Sequence, residues 1–365
     1  MKRAAVVGTG LIGGSIGMGL RRLGWHVSGY DLEASRAARA LQLGAIDEVG
    51  MDPFAAVTFV AVPAGAVARV AADVLSQLEG PGAVTDVAGV KEAIVARLDD
   101  PRFVGGHPMA GSEQEGVDGA GPDLFLGATW VLTPSERTSP EAYTEVSSIV
   151  RALGANPVPL EARRHDLLVA LVSHAPHLTA AALMNLAADA ASSDSTLLRL
   201  AAGGFRDMTR IAAGHPGIWP DVVAENKEAI LAALDGLGAS LDKLRAAVAS
   251  GDRTGLLDLL QRAREARRNL PSGAPSPEKA LELRVPVPDR PGVVAEVTSL
   301  VGSLGVNIYD LEIVHSAEGG RGVLVMVVDA ASGELVRSAL AERAYRVSVH
   351  RMEPPAMEPP GPSDR

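Results

Sequence analysis

The stretch Gly105-Gly106-His107-Pro108-Met109-Ala110-Gly111-Ser112-Glu113 sets one imidazole among glycines, directly after the apolar run Arg102-Phe103-Val104. Imidazole is the side chain that accepts a proton near neutral pH. A strand over the apolar run would put His107 just past its carboxyl end, the edge at which open α/β sheets bind ligands. The glycines then let the backbone come close to a bound molecule. A lone histidine among glycines is more often a turn residue than a base, so its neighbours must decide.

Two further clusters carry chemistry. In GGFRDMTRIAAGHPGIW, Arg206 and Arg210 are four apart on a predicted helix, with Asp207 three before Arg210. A guanidinium fork matches carboxylate oxygens, so the pair reads as a site for a carboxylated substrate, with Asp207 steadying Arg210. Gly203-Gly204 would allow close approach, and Trp219 would supply a flat wall. A solvated face with one ion pair remains the second reading. The third cluster, SHAPH, holds His174 and His177 on one helical face. No carboxylate or third histidine stands with them at ligand spacing, so no metal site is expected; one is read as structural and the other as facing a pocket.

The elements that must position these residues begin at the amino terminus. Ala4 to Val7 is a buried-strand run, Gly8-x-Gly10-x-x-Gly13 follows, a helix runs from Leu11 to about Leu23, and Trp25 to Tyr30 forms a second strand ending at Asp31. Strand, glycine turn, helix, strand and acid within one short unit form a dinucleotide fingerprint. Gly8 serves the tight turn, Gly10 the pyrophosphate, and Gly13 the helix–strand packing. The helix start at Leu11 and Ile12 offers N–H groups to phosphate, and Asp31 binds ribose hydroxyls, which favours NAD. Arg36 keeps NADP as the minor alternative. Further strands at 57–62, 83–86, 128–132 and 157–160 alternate with helices at 65–78, 90–98 and 140–153, giving a doubly wound, Rossmann-type sheet over residues 1–160.

From Glu161 the pattern turns helical, with Pro176 expected to kink or restart a helix and Pro220 to begin a long one reaching about Ser250. Residues 161–270 are read as an all-helical substrate and dimerisation domain, its surplus Ala and Leu surface suiting a homodimer. Residues 271–279 are a linker, residues 280–352 follow a β-α-β-β-α-β, ferredoxin-like order, and the Pro-rich tail at 353–365 is expected to be disordered.

The 365 residues carry a net charge of −10, 47% hydrophobic residues and no cysteine. That balance argues against a general nucleic-acid binder, and the missing thiols exclude disulfides and a cysteine nucleophile. The apolar runs are broken short of bilayer length and the amino terminus lacks a signal-peptide layout, so a soluble, cytoplasmic protein is expected, with no membrane partner.

Taken together, the cofactor loop, HPMAGSE, SHAPH, GGFRDMTRIA with Trp219, and a carboxyl-terminal PDRPG and GVNI resemble the prephenate dehydrogenase family of tyrosine biosynthesis with an ACT domain. The resemblance implies NAD-dependent oxidative decarboxylation of prephenate, with His107 as the catalytic base. It further implies Arg210 on the substrate carboxylate, with His177, Gly203, Trp219, Glu113 and Asp207 around the substrate. The ACT domain would bind an amino-acid effector, tyrosine the natural choice, near Asp289, Gly292, Asn307 and Ile308, or else serve assembly alone. The family often has serine in an S-V-K string where this chain has Gly89-Val90-Lys91. An arogenate or dual-specificity enzyme, and a non-catalytic NAD-bound sensor, are the rival readings.

Overall fold

The structure is a computed structural model that describes residues 2–111, 114, 116–192, 196–268, 280–288, 290–315 and 321–351. Glu113, Asp289, the linker at 271–279 and the tail at 353–365 lie outside the described residues. Residues 1–241 and 242–365 form two compact units.

In the first unit, strands β1 (Arg3–Val7), β2 (His26–Tyr30), β3 (Glu48–Val49), β4 (Val57–Val60), β5 (Ala83–Asp86), β6 (Phe103–Pro108), β7 (Thr129–Thr133) and β8 (Asn156–Pro159) make one sheet. Its order is β3-β2-β1-β4-β5-β6-β7-β8. The strands from β1 to β6 are parallel, while β7 pairs antiparallel with β6 and parallel with β8. Helices α1 (Leu11–Arg22), α2 (Ala34–Gln42), α3 (Ala64–Gln77), α4 (Glu92–Ala96) and α5 (Pro140–Ala152) alternate with them. Ile16 and Leu20 of α1 share one core with Val146 and Ile149 of α5, and Val67 and Val74 of α3 share another with Ile94 of α4. A sheet covered on both faces explains why β4, β5 and all of β1 after Arg3 are buried residue after residue instead of alternately. Chain order reverses between β1 and β4, which opens a crevice at their carboxyl ends.

One strand differs from the sequence reading. His107 does not follow a strand but lies within β6, which pairs with β5 through Phe103 and Val104 and with β7 from Gly105 to Pro108. The antiparallel β7 supplies hydrogen-bond partners that keep the chain extended past Val104. Gly105 and Gly106 also have another task than the one expected: a Cβ would stand 2.3 Å from Thr133 Oγ1 at the first and 2.6 Å from the Asp86 carbonyl at the second. Their missing side chains make room for neighbouring protein, not for a ligand.

The helical part runs through α6 (Ala162–Val169), a π-turn at Ala170–His174, α7 (Ala175–Ala191), α8 (Gly203–Thr209), α9 (Trp219–Glu225) and α10 (Lys227–Ser250). Pro176 begins a new α-helix, one of the two outcomes expected: it sits in the first turn of α7, where its missing N–H is tolerated, and the wide π-turn precedes it without breaking the helical path. Ala162–Ala191 is therefore one helical rod, long and apolar enough by length and composition to cross a membrane, contrary to the expectation of short apolar runs. His165 and Asp166 near its start are buried in protein, and much of its apolar surface is uncovered, with Leu171 61% and Leu186 68% exposed. Two other expectations are corrected. Arg206 and Arg210 do not share one α-helix, because α8 ends at Thr209 and Arg210 opens a 3₁₀ turn to Ala213. The helix after Trp219 is broken at Asn226, which leaves helical geometry between α9 and α10.

The second unit contains α11 (Arg253–Arg268), then β9 (Ala280–Pro288), α12 (Val293–Ser303), β10 (Ile308–His315), β11 (Arg321–Asp329), α13 (Gly333–Glu342) and β12 (Ser348–Arg351). The strands form an antiparallel sheet in the order β10-β11-β9-β12, with Leu283, Leu324 and Met326 packed against Val297, Val336 and Leu340 of the two helices.

Candidate active site

His107 reaches the site from β6 and is joined to a line of buried polar groups. Its Nδ1 lies 2.8 Å from Nε2 of His165, with the rings 5.1 Å apart and nearly perpendicular. His165 Nδ1 in turn lies 2.7 Å from Asp166 Oδ1. The Asp166 carboxylate accepts the backbone N–H of Lys91 and of Glu92, each at 2.8 Å, where α4 begins. Its carbonyl accepts Asn226 Nδ2 at 2.9 Å, and the same amide faces His174 Nδ1 at 3.3 Å. Asn226 is buried at the break between α9 and α10.

Beneath His107, Lys91 pairs with Asp86 at the end of β5, both side chains without solvent exposure. Burial pulls the Lys91 ammonium below its usual range, and Asp86 opposes that pull. Asp86 also accepts the N–H of Gly106 and of Ala88, each at 3.0 Å, tying the strand that carries His107 to the β5 end. Removing one partner from a buried pair of this kind costs about 3–5 kcal/mol. Burial, followed by the charges of His165, Lys91 and His174, holds His107 well below the ordinary imidazole range. It is therefore neutral, and able to accept a proton, at neutral pH.

A second group adjoins the first. The Trp219 ring stands 4.4 Å from His177 and 6.0 Å edge-on from His174. His177 is lowered by burial, against a hydrogen bond to the Ile211 backbone. Arg210 immediately precedes Ile211 and is exposed. Among the described residues Asp207 does not pair with Arg210 through its carboxylate; the main chain links them, Arg210 N–H donating to the Asp207 carbonyl. Gly203 is exposed at the start of α8, with nothing within 4 Å of a Cβ built on it.

The cofactor candidates gather at the β1 end. Gly8 has φ +91°, and a Cβ there would stand 2.3 Å from the Ala61 carbonyl. A Cβ at Gly13 would meet the Gly8 carbonyl at 1.9 Å, whereas the space at Gly10 is open. No side chain caps α1, and the first intrahelical bond runs from Gly14 N–H to Gly10, leaving the N–H groups of Leu11, Ile12 and Gly13 directed out of the helix end. Asp31 is pinned by Thr9 N–H at 2.9 Å and Glu33 N–H at 3.0 Å. A carboxylate has about four lone-pair sites, so room remains for a ribose hydroxyl. These residues fit the adenosine and pyrophosphate of a dinucleotide.

Of the regulatory candidates, Gly292 and Ile308 are not brought together within one chain. Gly292, in the left-handed region, follows the end of β9, whereas Ile308 pairs with Val328, whose partner on the other side is Leu281 at the start of β9. Opposite ends of a strand this long are roughly 20 Å apart.

His165, Asp166, Lys91, Asp86 and Asn226 were not singled out from sequence. The acid closing strand 83–86 and the lysine of Gly89-Val90-Lys91 were visible, but their convergence on His107 requires three separate segments to meet.

Fold and site together define a nucleotide-binding oxidoreductase with a Rossmann-like sheet and a helical second domain. The profile described as "Prephenate dehydrogenase, nucleotide-binding domain" matches residues 16–158, and "Prephenate dehydrogenase, dimerization domain" matches residues 161–262. The prephenate dehydrogenase of Bacillus subtilis (strain 168) is 33% identical over 334 residues, covering 87% of this chain and 90% of that one. The crystal structure of the A. aeolicus prephenate dehydrogenase in complex with hydroxyphenyl propionate and NAD+ superposes with a TM-score of 0.69 at 30% identity, over 73% of this chain and 97% of that one. Synechocystis arogenate dehydrogenase superposes with a TM-score of 0.63 at 33% identity, over 73% and 98%. The chain belongs to the prephenate dehydrogenase family.

Proposed function

We propose that this chain oxidises and decarboxylates prephenate to 4-hydroxyphenylpyruvate with NAD, as a step of tyrosine biosynthesis. One observation carries the reading: a half-buried, neutral imidazole, His107, stands on β6 of the same sheet whose β1 and β2 carboxyl ends present the glycine turn and Asp31. Bound NAD would supply the hydride acceptor for the ring carbon that bears the hydroxyl. Gly10 would leave room for its pyrophosphate, Gly8 and Gly13 keep the turn tight and the helix close to the strand, the N–H groups of Leu11 and Ile12 would face the phosphates, and Asp31 would take the ribose. His107 Nε2 receives the hydroxyl proton as the ring carboxylate leaves as carbon dioxide, and aromatisation of the ring drives the loss. Arg210 binds a carboxylate of the substrate, with His177, Trp219, Gly203 and Asp207 lining its approach, and Glu113 is assigned to the substrate by the family resemblance alone. Asp31, held at the end of β2, would repel a 2′-phosphate, which supports NAD over NADP.

The division into 1–160, 161–270, a linker at 271–279 and 280–352 is proposed with it, supported by the change of matched profile between residues 158 and 161. Residues 161–270 are proposed to form a homodimer. A groove of about 740 Å³ lined by Leu167, Leu171, Leu183, Met208, Ala233 and Leu237 supports this, since so much apolar lining suits a second helix surface. The second unit's strand order suits an ACT domain that takes tyrosine or another amino acid. A cytoplasmic location fits a chain without cysteine.

Comparing kcat/KM for prephenate and arogenate, each with NAD and NADP, tests the reading. We expect prephenate with NAD to lead by tenfold or more, about 1.4 kcal/mol of transition-state binding. Arogenate at least as fast would make it an arogenate or dual-specificity enzyme, and turnover of neither would leave a sensor.

A further inference from the structure

The hydrogen-bonded line Asp166–His165–His107 has a direction. As a carboxylate, Asp166 only accepts, so the 2.7 Å contact requires a proton on His165 Nδ1. A neutral His165 then has a bare Nε2, and the 2.8 Å contact to His107 Nδ1 requires the proton to sit on His107. The reverse placement would set two lone pairs against each other or make His165 an imidazolium. His107 is thus left with an unprotonated Nε2, the ring atom that faces Gly89. Nothing in the line is loose: His165 is fully buried, Asp166 is held by the N–H groups of Lys91 and Glu92, and Asn226 holds the Asp166 carbonyl.

We propose that Asp166 and His165 are positioning residues that fix the Nδ1–H tautomer of His107, keeping its Nε2 as the proton acceptor toward the substrate. They touch neither substrate nor cofactor. As His107 takes a proton at Nε2 it becomes positive, and its Nδ1–H strengthens the bond to His165, which the Asp166 charge polarises in turn. The line therefore aims the base and stabilises the cation that forms on it. The kinetic part of this proposal rests on His107 being the base of the proposed reaction; the tautomer does not.

The test uses the full-length protein labelled with ¹⁵N-histidine, with long-range ¹H–¹⁵N correlations read near pH 7.5 and the His107 signals assigned by their loss in His107→Asn. The expected result is a protonated Nδ1 and a bare Nε2 on His107. In His165→Leu the preference should vanish, and kcat should fall on the order of 100-fold or more while KM for prephenate and NAD stays within about twofold. His165→Gln, which still offers an oxygen to His107 Nδ1–H, should recover most of that loss. A wild-type His107 protonated on Nε2 would overturn the proposal, as would an unchanged tautomer in His165→Leu or a loss of rate explained by raised KM. The wild-type spectrum decides even where a variant is unstable. Failure of the proposed function would look different, as absent prephenate turnover with the Nδ1–H tautomer intact.

Discussion

Gly89 stands directly against the catalytic candidate: a Cβ built on it would lie 3.6 Å from Nε2 of His107 and 3.7 Å from Cε1. Those are ordinary contacts, and Gly89 does not sit at a positive φ. A serine therefore fits, with its hydroxyl beside the atom that takes the substrate proton. Gly89→Ser should fold normally and raise kcat/KM for prephenate about fivefold, the worth of one added hydrogen bond of roughly 1 kcal/mol. A serine variant slower than the parent would mean that the open space serves the substrate itself.

The His174 imidazole gives a stability signature. Burial lowers it from 6.5 to about 4, with Asp166 opposing and His165 and His177 adding to the fall. The unfolded chain takes up that proton more readily, so the stability it contributes is complete above about pH 6.5 and is lost as the pH falls toward 4, on the order of 2–3 kcal/mol at most. Only the neutral ring accepts from Asn226, and Trp219 stands edge-on to it. His174→Gln should flatten the dependence of Tm on pH between 7 and 4.5 by several degrees, measured by scanning calorimetry, although His107 and His177 leave some slope. An unchanged slope would assign it to other groups.

Arg210→Ala should raise KM for prephenate about 10- to 100-fold, since a charge-assisted bond to a carboxylate is worth about 1.5–3 kcal/mol. The Kd for NAD, followed by fluorescence quenching, should stay put. An unchanged KM would leave Arg210 a structural cation of the 3₁₀ turn.

Leu171→Glu should separate the subunits. Leu171 is 61% exposed on the π-turn and lines the apolar groove, where a carboxylate would be buried without a partner in the dimer. Light scattering at micromolar concentration should give twice the chain mass for the parent and the chain mass for the variant. Equal masses would move the subunit contact elsewhere.

What could be read from the linear chain was whatever a short window contains. Strand, glycine turn, helix and Asp31 are contiguous, and the backbone chemistry of Gly8 acts within a few residues, so the strand–turn–helix–strand unit was legible in the chain. The long helices and the β-α-β-β-α-β order were legible for the same reason, through periodicity and punctuation by Gly and Pro. The short α2 and the two-residue β3 escaped because an edge strand of that length has no pattern to show.

The chemistry around His107 was decided by packing. The chain alone put an imidazole near a strand end; only the fold continued β6 along β7, gave Gly105 and Gly106 to tight contacts with Thr133 and Asp86, and closed α8 before Arg210. His165 is 58 residues from His107 and Asn226 is 60 from Asp166, separations over which no local pattern carries information. Which nitrogen of an imidazole keeps its proton depends on who stands beside the other one, and that neighbour is chosen by the burial of the whole helix against the sheet, not by the residues next to it in the chain.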